Sequence, residues 1–122
     1  MQISKCLHTS ILVSDLQQAE IFYSDVLNLP KSSKRNLNFP GIWYQLEDYQ
    51  IHIIEDKNFT NKNFINSEKW GRNPHLALVV DNLAQAEEKL QNNGYAIQKS
   101  FSGRKALFTQ DPDGNIIELI QG

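Results

Sequence analysis

Imidazole and carboxylate groups recur at matched places along this chain. It carries three histidines: His8, His52 and His75. His8 opens the segment His8-Thr9-Ser10-Ile11-Leu12-Val13-Ser14-Asp15-Leu16-Gln17-Gln18-Ala19-Glu20. His75 opens His75-Leu76-Ala77-Leu78-Val79-Val80-Asp81-Asn82-Leu83-Ala84-Gln85-Ala86-Glu87. At one constant offset, His8/His75, Val13/Val80, Leu16/Leu83, Gln18/Gln85, Ala19/Ala86 and Glu20/Glu87 coincide. A later match, with the offset shorter by one, sets Ile51-His52-Ile53-Ile54 against Ile117-Glu118-Leu119-Ile120. A duplicated module with His, His, His and Glu at equivalent places points to a metal site between the copies. Imidazole and carboxylate donors suit Zn, Fe, Ni, Co or Mn. Buried His and Glu are costly unless paired or metal-bound.

Strands and helices must position those four side chains. Residues 3–13 alternate as a half-buried strand does. Ser14, with Gln17 three residues on, is a capping-box signature. Leu16, Ala19, Tyr23 and Val26 then share a helical face, and Pro30 ends that helix. Ile42–Leu46 and Tyr49–Ile54 read as strands joined by Glu47-Asp48. Residues 57–73 form a linker of low periodicity, a length usually tied to function or mobility. The second copy repeats the plan. A strand runs through Val80, Asp81 is the expected N-cap, and Leu83, Ala86 and Leu90 make a helical stripe stopped by Gly94. Strands follow near 96–101, 105–109 and 116–120, with the tight turn Asp111-Pro112-Asp113-Gly114 before the last.

Strand parity then assigns faces. Leu7, Ile11 and Val13 form the helix-facing set of the first strand, which leaves His8 on the opposite face. Leu76, Leu78 and Val80 do the same for His75, Ile51 and Ile53 for His52, and Ile117 and Leu119 for Glu118. All four polar residues are expected on the face away from the helices.

At 122 residues the chain is read as one domain, with module one at about 1–56, the linker at 57–73 and module two at 74–122. A net charge of −2 and the lack of a basic stripe argue against a nucleic-acid partner. The lone Cys6 cannot form an intrachain disulfide, so a reducing cytoplasmic setting is expected. No apolar run is long enough to span a bilayer.

The pattern is similar to the vicinal oxygen chelate superfamily of glyoxalase I, bleomycin-resistance proteins and extradiol dioxygenases. The residues that carry the resemblance are His8 and Ser14-Asp15-Leu16, then Phe22-Tyr23-Ser24-Asp25-Val26-Leu27. To these are added His75 and Asp111-Pro112-Asp113-Gly114-Asn115 before Ile117-Glu118-Leu119. The resemblance implies an α+β fold of two paired βαβββ modules, an open half-barrel centred on a divalent metal, and a homodimer. It also implies His8, His75 and Glu118 as ligands. His52 stands where glyoxalase I carries a ligand glutamate, so it is a fourth ligand, an acid/base or a cavity histidine.

The expected chemistry is that of a metal-dependent lyase or isomerase on a small molecule that chelates the metal through oxygens. Glu118 or His52 would move the proton. Arg104 or Arg72 would hold a substrate anion, and Trp43, Tyr44 and Phe108 would line the pocket. Three alternatives use the same residues: an Fe(II) extradiol-type dioxygenase, a thiol transferase of the fosfomycin-resistance type, and a non-catalytic binding or resistance protein.

Overall fold

The computed structural model describes residues 1–122. The chain forms two compact units, residues 1–59 and 60–122. In the first, β1 (His8–Val13), α1 (Leu16–Glu20) and a π-helical continuation (Ile21–Val26) precede β2 (Gly41–Leu46) and β3 (Tyr49–Glu55). The sheet order is β1-β3-β2, with β1 parallel and β2 antiparallel to β3. In the second unit, β4 (His75–Val80), α2 (Leu83–Asn92), β5 (Ile97–Lys99), β6 (Ala106–Gln110) and β7 (Ile116–Gln121) give the order β4-β7-β6-β5.

The second unit is thus a complete βαβββ module. The first follows the same plan, but the strand matching β5 is reduced to a single Lys31–Tyr44 bridge beside β2. Pro30 opens that segment and has no N–H for a ladder, although its carbonyl still accepts from the Gln45 N–H. The fold is therefore α+β with two open sheets.

Each sheet packs one face into a core. In the first unit Ile11, Val13, Tyr44, Ile51 and Ile53 are buried with Ala19, Phe22, Tyr23 and Val26 of the helical segment. In the second, Leu107, Ile117 and Leu119 are buried with Leu90 of α2.

Several boundaries differ from the sequence reading. β1 begins at His8, not near residue 3, because the ladder starts where β3 starts. The Gln50 N–H meets the Leu7 carbonyl, and His8 pairs with Gln50. The N-caps fall one residue later than expected. Asp15, not Ser14, accepts from the Gln18 N–H, and Asn82, not Asp81, accepts from the Gln85 N–H. In each case the cap is the last extended residue before the leucine that begins the helix, which is what cap geometry requires. The first helix stops before Pro30. Asn28 takes a φ of 57° and the Leu29 N–H closes on the Tyr23 carbonyl. Gly94, at φ 83°, closes α2 in the same way, with the Tyr95 N–H on the Leu90 carbonyl. No helix is long and apolar enough to cross a membrane.

Candidate functional site

The four matched residues lie in two pairs, one in each unit. In the first unit His8 sits on β1 beside exposed Ser10 and Leu12, while Ile11 and Val13 turn into the core. His52, on β3, is a register partner of both Ser10 on β1 and Trp43 on β2. Its ring is held flat between two others. His8 stacks on one side at 4.0 Å between centroids, and Trp43 on the other at 4.2 Å. Burial, then the neighbouring His8, then Arg35 hold the His52 pKa below the usual histidine value. A neutral imidazole results, the form that ligates metals or accepts protons.

Arg35 approaches this face from the loop before β2. Its guanidinium lies over the Phe39 ring and donates to the Phe39 carbonyl. Gly41 allows close approach here, since a Cβ there would come within 2.6 Å of the Ile53 carbonyl oxygen and 2.9 Å of Arg35 Nη2.

In the second unit His75 begins β4 and Glu118 lies in the middle of β7. His75 Nδ1 is 2.7 Å from the Asn73 carbonyl, and Nε2 is 3.2 Å from Glu118 Oε1. A carbonyl oxygen only accepts, so Nδ1 carries the proton. In the neutral ring Nε2 therefore points a lone pair at a carboxylate oxygen. Two acceptors face one another, and only a proton or a metal cation between them relieves the conflict. A second partner that fixes the outer nitrogen is the usual support of a metal-binding histidine. Glu118 is nearly inaccessible, and its other oxygen accepts from Arg104 Nη2 at 2.8 Å.

Phe108, the register partner of Glu118, meets His75 edge-on at 5.5 Å. Gly71 lets this ring seat, because a Cβ there would lie 2.7 Å from Phe108 Cζ. A cavity of about 220 Å³ opens here, lined among others by Arg72, His75, Gln98, Arg104, Phe108 and Glu118.

Trp43 and Phe108 therefore occupy equivalent places, each across the ladder from the matched polar residue. Tyr44 does not line a pocket. It is wholly buried on the core face, and its hydroxyl bonds to Ser24 Oγ at 2.6 Å. Within either unit the ligand-type side chains come in twos rather than threes.

Two contributors escaped the sequence reading. Asn73 is buried, accepts from the Ile65 and Asn66 N–H groups, and donates to the Asn66 and Trp70 carbonyls. It ties down the loop that ends at His75. Gln50 Oε1 lies 2.8 Å from His52 Nε2. Its position two residues before His52, on the same strand face, was the available signal.

Residues 5–119 match the sequence profile of the Glyoxalase/Bleomycin resistance protein/Dioxygenase superfamily. The chain belongs to this superfamily. It is 31% identical to the lactoylglutathione lyase of Salmonella typhimurium over 129 aligned positions, covering 96% of this chain and 92% of that relative. Among solved structures, a glyoxalase/dioxygenase from Nostoc punctiforme superposes with a TM-score of 0.79 at 19% identity, covering 96% of this chain and 90% of that one. TnmS3, an antibiotic binding protein from Streptomyces sp. CB03234, superposes with a TM-score of 0.70 at 22% identity, covering 99% and 98%. This fold is thus shared by a protein named a glyoxalase/dioxygenase and by an antibiotic binding protein.

Proposed function

We propose that this chain is a divalent-metal-dependent lyase or isomerase of the glyoxalase type. It acts on a small molecule that chelates the metal through neighbouring oxygens. We assign His8, His75 and Glu118 to the metal and His52 to proton transfer. The whole chain works as one domain, as a cytoplasmic homodimer.

The observation that carries this reading is the close approach of His75 Nε2 and Glu118 Oε1, 3.2 Å apart, with the other nitrogen of His75 already held by the Asn73 carbonyl. The donor set of imidazoles and a carboxylate fits Zn, Ni, Co, Mn or Fe alike. When bound, such an ion supplies Lewis-acid polarisation of a substrate carbonyl. Asn73 holds the tautomer of His75. Arg104 occupies one oxygen of Glu118 and fixes the orientation of the carboxylate, which suits it to act as a ligand through the other. His52 has no counter-charge and is neutral, so it is the group left to accept the proton from the substrate carbon. Arg104, with Arg72 beside it, takes an anionic part of the substrate. Trp43 and Phe108 offer ring faces to its apolar part.

Relatives named lactoylglutathione lyase make formation of lactoylglutathione the first reaction to assay. Cobalt-loaded protein and its His52→Gln variant test the roles together. The reading expects an unchanged cobalt visible spectrum and loss of turnover by roughly 100-fold or more, the scale of general-base catalysis. A changed spectrum would move His52 into the donor set. Full turnover in the variant would remove it from the mechanism.

One observation favours a second reading, non-catalytic binding of a planar small molecule. The Trp43–His52–His8 stack ends on exposed His8, which leaves a ring face open to another ring. Stoichiometric binding with no product, in metal-loaded and metal-free protein alike, would select it.

A further inference from the structure

We propose that Gln45 and Gln50 form a directional amide relay that fixes His52 as its Nε2–H tautomer and presents Nδ1 as the working nitrogen. This deepens the role given to His52 above and rests on that reading for its consequence, though not for its test.

The relay is built by the β2–β3 hairpin. Gln45 and Gln50 are direct register partners, just outside the Glu47-Asp48 turn. Gln50 and His52 are two residues apart on one strand and so share a face.

Its direction comes from the backbone. Gln45 Nε2 donates to the Glu47 carbonyl at 2.6 Å and reaches the Tyr49 carbonyl at 3.5 Å. Those oxygens can only accept, so the amide end of Gln45 must point at them. Turning it round would set Gln45 Oε1 against the Glu47 oxygen. Gln45 Oε1 is thereby left facing Gln50, and it accepts from Gln50 Nε2 at 2.8 Å. Gln50 Oε1 is in turn left facing His52 Nε2 at 2.8 Å. That contact is a hydrogen bond only if Nε2 carries the proton. A neutral imidazole has one N–H, so Nδ1 holds the lone pair. The flat stack between His8 and Trp43 holds the plane of the ring, and a half-turn back into that plane would put the carbon Cε1 in place of Nε2 and lose the bond to Gln50.

The second unit supplies an internal control. Ile116 and Gln110, a register pair on β7 and β6, stand where Gln50 and Gln45 stand in the first unit. The apolar Ile116 ends any relay there, and the residue two places on is Glu118. A carboxylate has no tautomer to set. The relay is found in the half whose working group has one.

The two histidines are then fixed in opposite senses: His75 with its proton on Nδ1, His52 with its proton on Nε2. Gln50 and Gln45 are positioning residues for His52.

The test is a long-range proton–nitrogen NMR spectrum of the imidazoles in metal-free protein, at a pH where His52 is neutral. The proposal expects His52 in one state, with Nε2 protonated and Nδ1 bare. It expects Gln50→Leu to shift His52 to a mixture of both tautomers. Gln45→Leu should give a smaller shift in the same direction, because Gln50 then loses its orientation. Gln50→Glu combined with Gln45→Leu, which keeps an acceptor for Nε2 and removes the opposing Gln45 oxygen, should restore the wild-type tautomer when read at a pH high enough to keep His52 neutral beside the carboxylate. Signals of His75 should stay in place throughout, which separates the relay from general loss of structure. A wild-type His52 that is Nδ1-protonated or mixed would overturn the proposal, as would an unchanged tautomer in Gln50→Leu. Because no metal is present, the outcome is independent of whether the chain binds one. Failure to load metal would sink the metalloenzyme reading and leave the relay standing.

Discussion

The two halves of this chain share one plan and prepare their matched polar residue by different physics. In the first unit His52 is neutral, packed between rings and held by an amide chain. In the second, Glu118 is held by Arg104 and faces the pinned His75. The first arrangement needs only dispersion and neutral hydrogen bonds, so burial suits it. The second buries a charge, which is tolerable only with partners. The difference shows how one duplicated scaffold can hold a neutral imidazole in one half and an ion-paired carboxylate in the other. What changes between the copies is the residue at one strand position and the neighbours that satisfy it.

The largest change in stability is expected from Asn73→Ala. It leaves the Ile65 and Asn66 N–H groups without their acceptor and the Asn66 carbonyl without its donor, while the Trp70 carbonyl keeps the backbone N–H of residue 73. Denaturant unfolding should show a loss of about 3 kcal/mol, the scale of buried groups left unpaired. Because His75 is held by the backbone carbonyl of residue 73, its Nδ1–H tautomer should survive. Loss of that tautomer would mean that the side chain, not the backbone, organises His75.

Gly71→Ala comes next. The added methyl strikes the Phe108 ring, and overpacking of this kind costs about 1–3 kcal/mol. The His75 ring signals should move and those of His52 should not. Movement of both would break the view that each half prepares its own residue.

The helix ends give a finer contrast. Both need a left-handed residue, glycine at position 94 and asparagine at position 28. Gly94→Ala should cost about 1 kcal/mol, measured by thermal unfolding. Asn28→Gly should be neutral or slightly stabilising. A clear loss in Asn28→Gly would show that the asparagine side chain has a role of its own.

The smallest effect is in pH dependence. The His52 pKa is lowered, first by burial, then by His8 and Arg35. Above the ordinary histidine pKa of about 6.5, His52 is neutral in both folded and unfolded chains and adds no slope. As the pH falls below that value the unfolded chain takes up the proton first, so stability falls. The slope ends below the folded pKa. Unfolding of metal-free protein at a series of pH values should show this decline, and Trp43→Leu should shrink it by exposing the ring. An unchanged decline in Trp43→Leu would mean that the stack does not set the pKa.

Much of this molecule could be read before it was seen, for identifiable reasons. A two-residue period assigns faces wherever one face is buried. His8 therefore lies opposite Ile11 and Val13, and Glu118 opposite Ile117 and Leu119, as parity requires. Partner length is not written locally. Residues 3–7 alternate as well as residues 8–13 do, but β3 begins at the Glu47-Asp48 turn and leaves them no strand to pair with. Caps slipped by one residue because Ser14-Asp15 and Asp81-Asn82 each offer two good capping side chains, and the geometry selects the second. Tyr44 next to Trp43 looked like a second pocket aromatic, yet adjacent strand residues face opposite ways. Asn73 left no trace in the sequence, since its partners are loop backbone groups. The relay was legible in principle, because a two-residue turn makes Gln45 and Gln50 neighbours.

The central claim is that His75 and Glu118 converge on a cation. Metal content, measured by mass spectrometry on tag-free protein purified without chelators and on its Glu118→Ala variant, tests it most directly. The account predicts one divalent ion per chain in the wild type and none in the variant. The identity of the ion would also sort the chemistry. Iron would favour a dioxygenase, while Ni, Co, Zn or Mn would favour lyase, isomerase or thiol-transferase chemistry. A wild type that holds no ion even after soaking in each of these metals, or a Glu118→Ala variant that holds it as tightly, would contradict the account.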